Sequence, residues 1–251
     1  MSNLNNAEKL LFIEQDEWGP VIVTEHCDTR YLSFGPGDEQ SRQNKHHPAL
    51  PEHEYIQAMC LILLLVKPKS ALVLGLGAGC LVSALHHAIK GVRISAVELR
   101  PLVIEVAKRF FRLPSSKKIT LIPQNANHFI AQKPDRKTDI IFADIYGFKG
   151  VDLYQLRPEF IDDCCMHLKE GGSLVLNCWL EHQTHTALLP FLRRKFSQVW
   201  QCELSSGNWV ILATNTPFLG NKKHLKQQAD ALQQSTQIDL FRALNQLELV
   251  E

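Results

Sequence analysis

The chain lacks an apolar stretch long enough to cross a bilayer. Its longest, residues 58–66, is nine residues and stops at Lys67, against roughly 20 for a spanning helix. It has no CxxC pair and no Cys/His quartet at zinc spacing; its seven cysteines lie scattered, mostly within apolar stretches. That excludes a disulfide scaffold or zinc module as the basis of the fold and leads us to expect a reducing compartment. It has no surplus of charge: 27 basic side chains face 26 acidic ones, net +1, with no basic block. Nucleic acid is therefore not an expected partner, since binding it relies on clustered Lys and Arg that release phosphate counterions. Internal repeats and low-complexity stretches are also missing, which excludes solenoids, fibres and extended disorder. The opening residues, MSNLNNAEKL, lack the basic start, apolar middle and small-residue cleavage site of a signal peptide. A cytoplasmic location without a membrane partner is expected.

What is present suits one sizeable core: 251 residues, 45% of them apolar. Three zones are expected: a small β region over 1–50, a main domain over 51–214 and a helical tail over 215–251. In the first, 21–24 and 30–34 read as short strands of a hairpin or meander. Tyr55, Ile56, Met59, Leu63 and Val66 then recur at helical spacing. In the main domain, apolar runs of strand length at 71–75, 93–98, 119–122, 140–144 and 173–178 alternate with helical segments at 81–89, 102–111, 127–132, 158–168 and 184–195. Near-continuous apolar strands alternating with helices predict a doubly wound, mostly parallel α/β sheet. Two last strands, 198–204 and 209–214, are joined by Ser205-Ser206-Gly207-Asn208, too short for a crossover, so they form an antiparallel hairpin. Seven strands result. In the tail, Leu225 and Leu232, then Leu240, Leu244 and Leu247, lie at helical spacing and could pack on the domain or across a homodimer; intramolecular docking is the simpler expectation.

The strongest local signal is Leu72-Val-Leu-Gly75-Leu-Gly77-Ala78-Gly79, a strand running into a glycine turn that opens a helix. Glycine suits a backbone that turns sharply near a ligand, and a helix N-terminus offers free amides. Glu98 closes the next strand, near the offset of about 20 residues at which an acid meets a ribose diol. Dinucleotide domains favour G-x-G-x-x-G and a wholly parallel six-stranded sheet, whereas this chain has G-x-G-x-G and a terminal antiparallel hairpin. The pattern resembles a class I S-adenosylmethionine-dependent transferase.

More narrowly, the sequence is similar to the spermidine synthase family, through Trp18-Gly19-Pro20-Val21, Gln40-Ser41, the glycine loop, Val97-Glu98-Leu-Arg-Pro101, Asp144 and Gly171-Gly172-Ser173. The resemblance implies a transferase whose substrate is S-adenosylmethionine or its decarboxylated form. It implies that Gly75, Gly77, Ala78 and Gly79 face the methionine-derived part, that Glu98 holds the ribose, and that Asn125-Ala126, in place of the family's Asp-Ala, contact the adenine. Asp144 would orient or deprotonate an amine acceptor, beside Tyr146 in the acceptor pocket. Position agrees, because Asp144 ends the fourth strand at the sheet edge where open α/β folds place their chemistry.

Two departures matter. Ala78 stands where the family carries an acid that opposes the carboxylate of intact S-adenosylmethionine, and Gly147 stands where it carries a second aspartate. Three readings follow: aminopropyl transfer to a small amine; methyl transfer from intact S-adenosylmethionine; and a non-catalytic nucleoside-binding relative. Glu39, Gln40, Glu52 and Asp152 remain as polar groups for an acceptor pocket. The Asp144-Ile-Tyr-Gly147 loop is not the proline-rich loop of base-flipping DNA methyltransferases. No metal is expected: adjacent histidines diverge on any regular element, and His182-x-x-His185 has no neighbouring acid-base motif. Cys164-Cys165 and Trp179 read as packing residues, although Trp179 falls at a strand end near the site.

Overall fold

A computed structural model describes residues 8–147, 150–184 and 187–250. The first zone is an antiparallel sheet of four strands in chain order: β1 (Lys9–Asp16), β2 (Gly19–His26), β3 (Thr29–Ser33) and β4 (Ser41–Asn44). The two expected strands are its centre. The flanking β1 and β4 escape a hydrophobic pattern because β1 is an edge strand with Leu10 and Ile13 exposed, and β4 is wholly polar.

The chain then forms α1 (Glu54–Cys60), tightens into a 3-10 turn over Leu61–Leu64, and enters a large sheet. Its strands are β5 (Ser70–Leu74), β6 (Arg93–Glu98), β7 (Ile119–Pro123), β8 (Thr138–Ala143), β11 (Leu168–Trp179), β12 (Gln198–Glu203), β13 (Asn208–Thr214) and β14 (Leu247–Leu249); the two-residue β9 (Tyr146–Gly147) and β10 (Gly150–Val151) pair outside it. The order is β14-β12-β13-β11-β8-β5-β6-β7. Strands β7, β6, β5, β8 and β11 run parallel, and β13 is antiparallel to both its neighbours β11 and β12. The seven expected strands are all there. An eighth joins them: β14 pairs with β12, and Leu247, expected on a helix, is a buried strand residue. Three residues are too few for their periodicity to reveal a strand.

Successive strand residues serve opposite faces. Ala71 and Val73 belong to one apolar cluster, with α1, α2 (Cys80–Ala88), α3 (Pro101–Phe110), α7 (Lys222–Thr236) and α8 (Phe241–Asn245). Leu72 and Leu74 belong to the other, with α4 (Ala126–Ile130), α5 (Pro158–His167) and α6 (Leu188–Lys195). Burial on both faces is why these strands read as continuous apolar runs. Helices α7 and α8 bury Leu225, Ala229 and Leu244 against their own domain. Cys164 is core. The sheet reverses direction of growth between β5 and β8, so the carboxyl ends of β5, β6, β7 and β8 frame a crevice at a topological switch point.

Candidate active site

At that edge lies a cleft of about 530 Å³, within the usual range for a small-molecule site of roughly 300–1,000 Å³. Gly75, Glu98, Asn125, Ala126, Tyr146, Asp152, Trp179 and His182 are among the residues that line it. Of the residues singled out in the sequence, Gly77, Ala78, Gly79 and Asp144 are not among the residues that line it.

The Glu98 carboxylate is buried, 8% exposed. One oxygen accepts from the main-chain N–H of Leu76 at 3.0 Å and of Gly77 at 3.4 Å, the other from Arg100 N–H at 3.0 Å. Burial raises its pKa, against the pull of these amides and of the Arg100 guanidinium. Three amides leave part of the carboxylate's four lone-pair sites for ligand hydroxyls.

The glycines serve the protein itself. Gly75 has φ +92°, and a Cβ there would overlap the main-chain oxygen of Asp144, so β5 and β8 end in contact only because the residue is glycine. Gly77, at φ +53°, lies under the Ser41 hydroxyl of β4, which a Cβ would approach to 2.9 Å. Ser41 Oγ accepts from Ala78 N–H at 3.2 Å, and Ala78 is fully buried. The N-terminal sheet thus covers the loop. Asn125 caps α4, its Oδ1 accepting from His128 N–H at 3.0 Å, with Ala126 buried behind it.

Asp144 is fixed by its main-chain N–H donating to Leu74 O at 2.9 Å. Its part-buried carboxylate accepts from Asn177 Nδ2 at 2.8 Å. Burial pushes its pKa up to about 6, while Asn177 and then the Tyr55 phenol favour the charged form. Asn177 Oδ1 accepts in turn from Asn208 Nδ2 at 3.1 Å, which sets the amide with its NH₂ toward Asp144. Tyr146 packs 6.0 Å from Trp179. Burial and the neighbouring Asp144 raise its pKa.

Sequence reasoning missed Asn177 and Asn208 and gave Tyr55 no contact with Asp144. Tyr55 reads as one more apolar residue of α1; Asn177 lies inside β11, and Asn208, read as a turn residue, opens β13. Trp179 stacks parallel to His182, ring centres 6.1 Å apart, and His182 Nδ1 accepts from Trp179 N–H at 3.2 Å. His185 lies outside the described residues, as do residues 1–7 of the opening segment. Among the described residues no three metal-ligating side chains converge, and no helix is long and apolar enough to cross a membrane. Asp152 accepts from Asn127 Nδ2 at 2.7 Å; Glu39, Gln40 and Glu52 are not in the cleft wall.

No family model matches the sequence. A polyamine aminopropyltransferase of Neisseria meningitidis serogroup A is 28% identical over 232 residues, 89% of this chain and 87% of that protein. Among solved structures, a probable spermidine synthase from Corynebacterium glutamicum superposes with a TM-score of 0.75 at 17% identity, covering 89% of this chain and 86% of that one. The chain is thus similar in sequence to polyamine aminopropyltransferases and shares its fold with spermidine synthases. Human methyltransferase-like protein 13, solved in complex with SAH, shares the fold at a TM-score of 0.65 and 20% identity, over 74% of this chain and 93% of that one. Ala78, where the resemblance implies an acid, is core beneath Ser41.

Proposed function

We propose that the protein transfers an aminopropyl group from decarboxylated S-adenosylmethionine to a small amine. The observation that carries this reading is the Asp144 carboxylate: partly desolvated, held by Asn177 and Tyr55, with a pKa near 6, at the strand end beside a nucleoside-sized cleft. In the reaction the amine lone pair attacks the carbon next to the sulfonium. A C–N bond forms, the C–S bond breaks, its electron pair returns to sulfur to give neutral methylthioadenosine, and the amine loses one proton. Asp144 takes that proton. A base poised near the working pH is efficient because it is ionised yet still basic. Its negative charge also draws in the cationic acceptor. Displacement at a sulfonium-activated carbon otherwise asks for alignment and exclusion of water. Glu98 holds the ribose, Asn125 and Ala126 face the adenine, and Tyr146 lines the acceptor side. The reaction requires no metal, and the protein acts in the cytoplasm.

Ala78 favours a second reading, methyl transfer from intact S-adenosylmethionine, since no acid at that position repels its carboxylate. One assay separates the two. The protein is incubated with either nucleoside and a panel of mono-, di- and triamines, and products are read by mass spectrometry. Aminopropyl transfer predicts methylthioadenosine and an amine heavier by one aminopropyl group, with the decarboxylated form only. Methylated product from intact S-adenosylmethionine would replace the first reading with the second.

A further inference from the structure

Arg100 carries a buried charge that neither binding nor chemistry uses directly. It is 4% exposed. Its guanidinium forks onto Asp16, Nε to one carboxylate oxygen at 3.0 Å and Nη2 to the other at 2.8 Å. Nη2 also donates to Gly19 O at 2.7 Å and Pro20 O at 3.3 Å, and the charged plane lies 4.4 Å from the Phe34 ring centre. Asp16 ends β1 and Gly19 and Pro20 open β2, so they flank the β1–β2 turn, and Phe34 follows β3. The main-chain N–H of the same residue donates to Glu98.

Docking one sheet on another does not call for this arrangement. A buried ion pair adds little adhesion over well-packed apolar side chains, whereas it fixes geometry through directional bonds. We infer that Arg100 is a positioning residue: pinned by the N-terminal hairpin, it holds the end of β6 so that Glu98 keeps the glycine loop and presents its remaining lone pairs to the nucleoside. The N-terminal sheet is thereby part of the nucleoside site at two points, Arg100 behind Glu98 and Ser41 over Ala78. This inference rests on reading Glu98 as the ribose ligand.

The test is calorimetric titration of methylthioadenosine into the full chain between pH 5 and 8, for the natural protein, Arg100→Met and Asp16→Asn. Binding needs ionised Glu98, and the guanidinium is the charged side chain that favours that form. Arg100→Met should weaken binding at least tenfold at pH 7 and move the acid limb of binding to higher pH, because Glu98 then protonates more readily. Asp16→Asn frees the fork but keeps the cation: affinity should fall several-fold with no upward move of the limb. A folded Arg100→Met protein that binds within twofold of the natural one, with the same pH profile, overturns the inference. If Arg100→Met does not fold, affinity within twofold in Asp16→Asn overturns it equally. A natural protein that binds no methylthioadenosine at any pH removes the nucleoside reading itself, and the inference with it.

Discussion

The two halves of the proposed site are built differently. On the proposed nucleoside side the groups come from the carboxyl ends of three neighbouring strands, β5, β6 and β7, and are fixed mainly by main-chain hydrogen bonds: Leu76, Gly77 and Arg100 amides hold Glu98, and the His128 amide holds Asn125. On the reaction side a side-chain network from distant segments, Tyr55 of α1, Asn177 of β11 and Asn208 of β13, sets the state of one carboxylate, Asp144. Main-chain construction gives a site its shape; a side-chain network gives it a tuned proton affinity. The nucleoside side should therefore respond to mutation in affinity, and the reaction side in rate and pH dependence.

The largest separation is expected from Asp144→Asn. Loss of a general base typically costs 10²–10⁴-fold in rate, so turnover should fall by at least about 100-fold while methylthioadenosine affinity stays within twofold. Steady-state kinetics and calorimetry on the same preparation check this. Stability should move the other way. The folded pKa of Asp144, about 6, lies above its ordinary 3.8, so the folded state binds the proton more tightly and stability declines as pH rises through that interval. Asp144→Asn should melt no lower than the natural protein at pH 7.5, and its advantage should vanish near pH 4.

Next in size is Glu98→Gln. Replacing a carboxylate that accepts from three amides weakens the loop and the ribose contact together. About a tenfold loss of affinity, 1.4 kcal/mol, is expected, with a smaller change in the rate at saturating nucleoside. A variant that instead loses rate at unchanged affinity would erase the division between the two halves of the proposed site.

The smallest effects test the tuning. Asn177 and Tyr55 both favour ionised Asp144, Asn177 more strongly. Asn177→Ala should move the acid limb of the rate profile to higher pH, and Tyr55→Phe should move it the same way by less. Neither should change nucleoside affinity beyond twofold. Opposite movements, or equal ones, would show that the network does not act through Asp144.

This difference in construction also decides what the sequence reveals. Strand ends and glycine turns are contiguous: Gly75, Gly77 and Gly79 follow an apolar strand, and Glu98 closes the next, so the frame of the proposed nucleoside side is legible in one βαβ unit. The doubly wound sheet and its terminal hairpin are legible for the same reason, each strand being an apolar run of its own. The acceptor side is not, because Tyr55 and Asn177 are 89 and 33 positions from Asp144 along the chain and meet it only after folding. The place of Asp144 at a strand end is legible; its pKa is not, since that depends on burial. Strands β1, β4 and β14 hide because they are exposed, polar or short.

The most direct measurement is the pH dependence of single-turnover aminopropyl transfer at saturating nucleoside, for the natural protein and Asp144→Asn. The natural protein should show a break near pH 6, below which the rate falls more steeply, and the variant should be slower and lack that break. The same break in both proteins would show that Asp144 is not the group that takes the amine's proton.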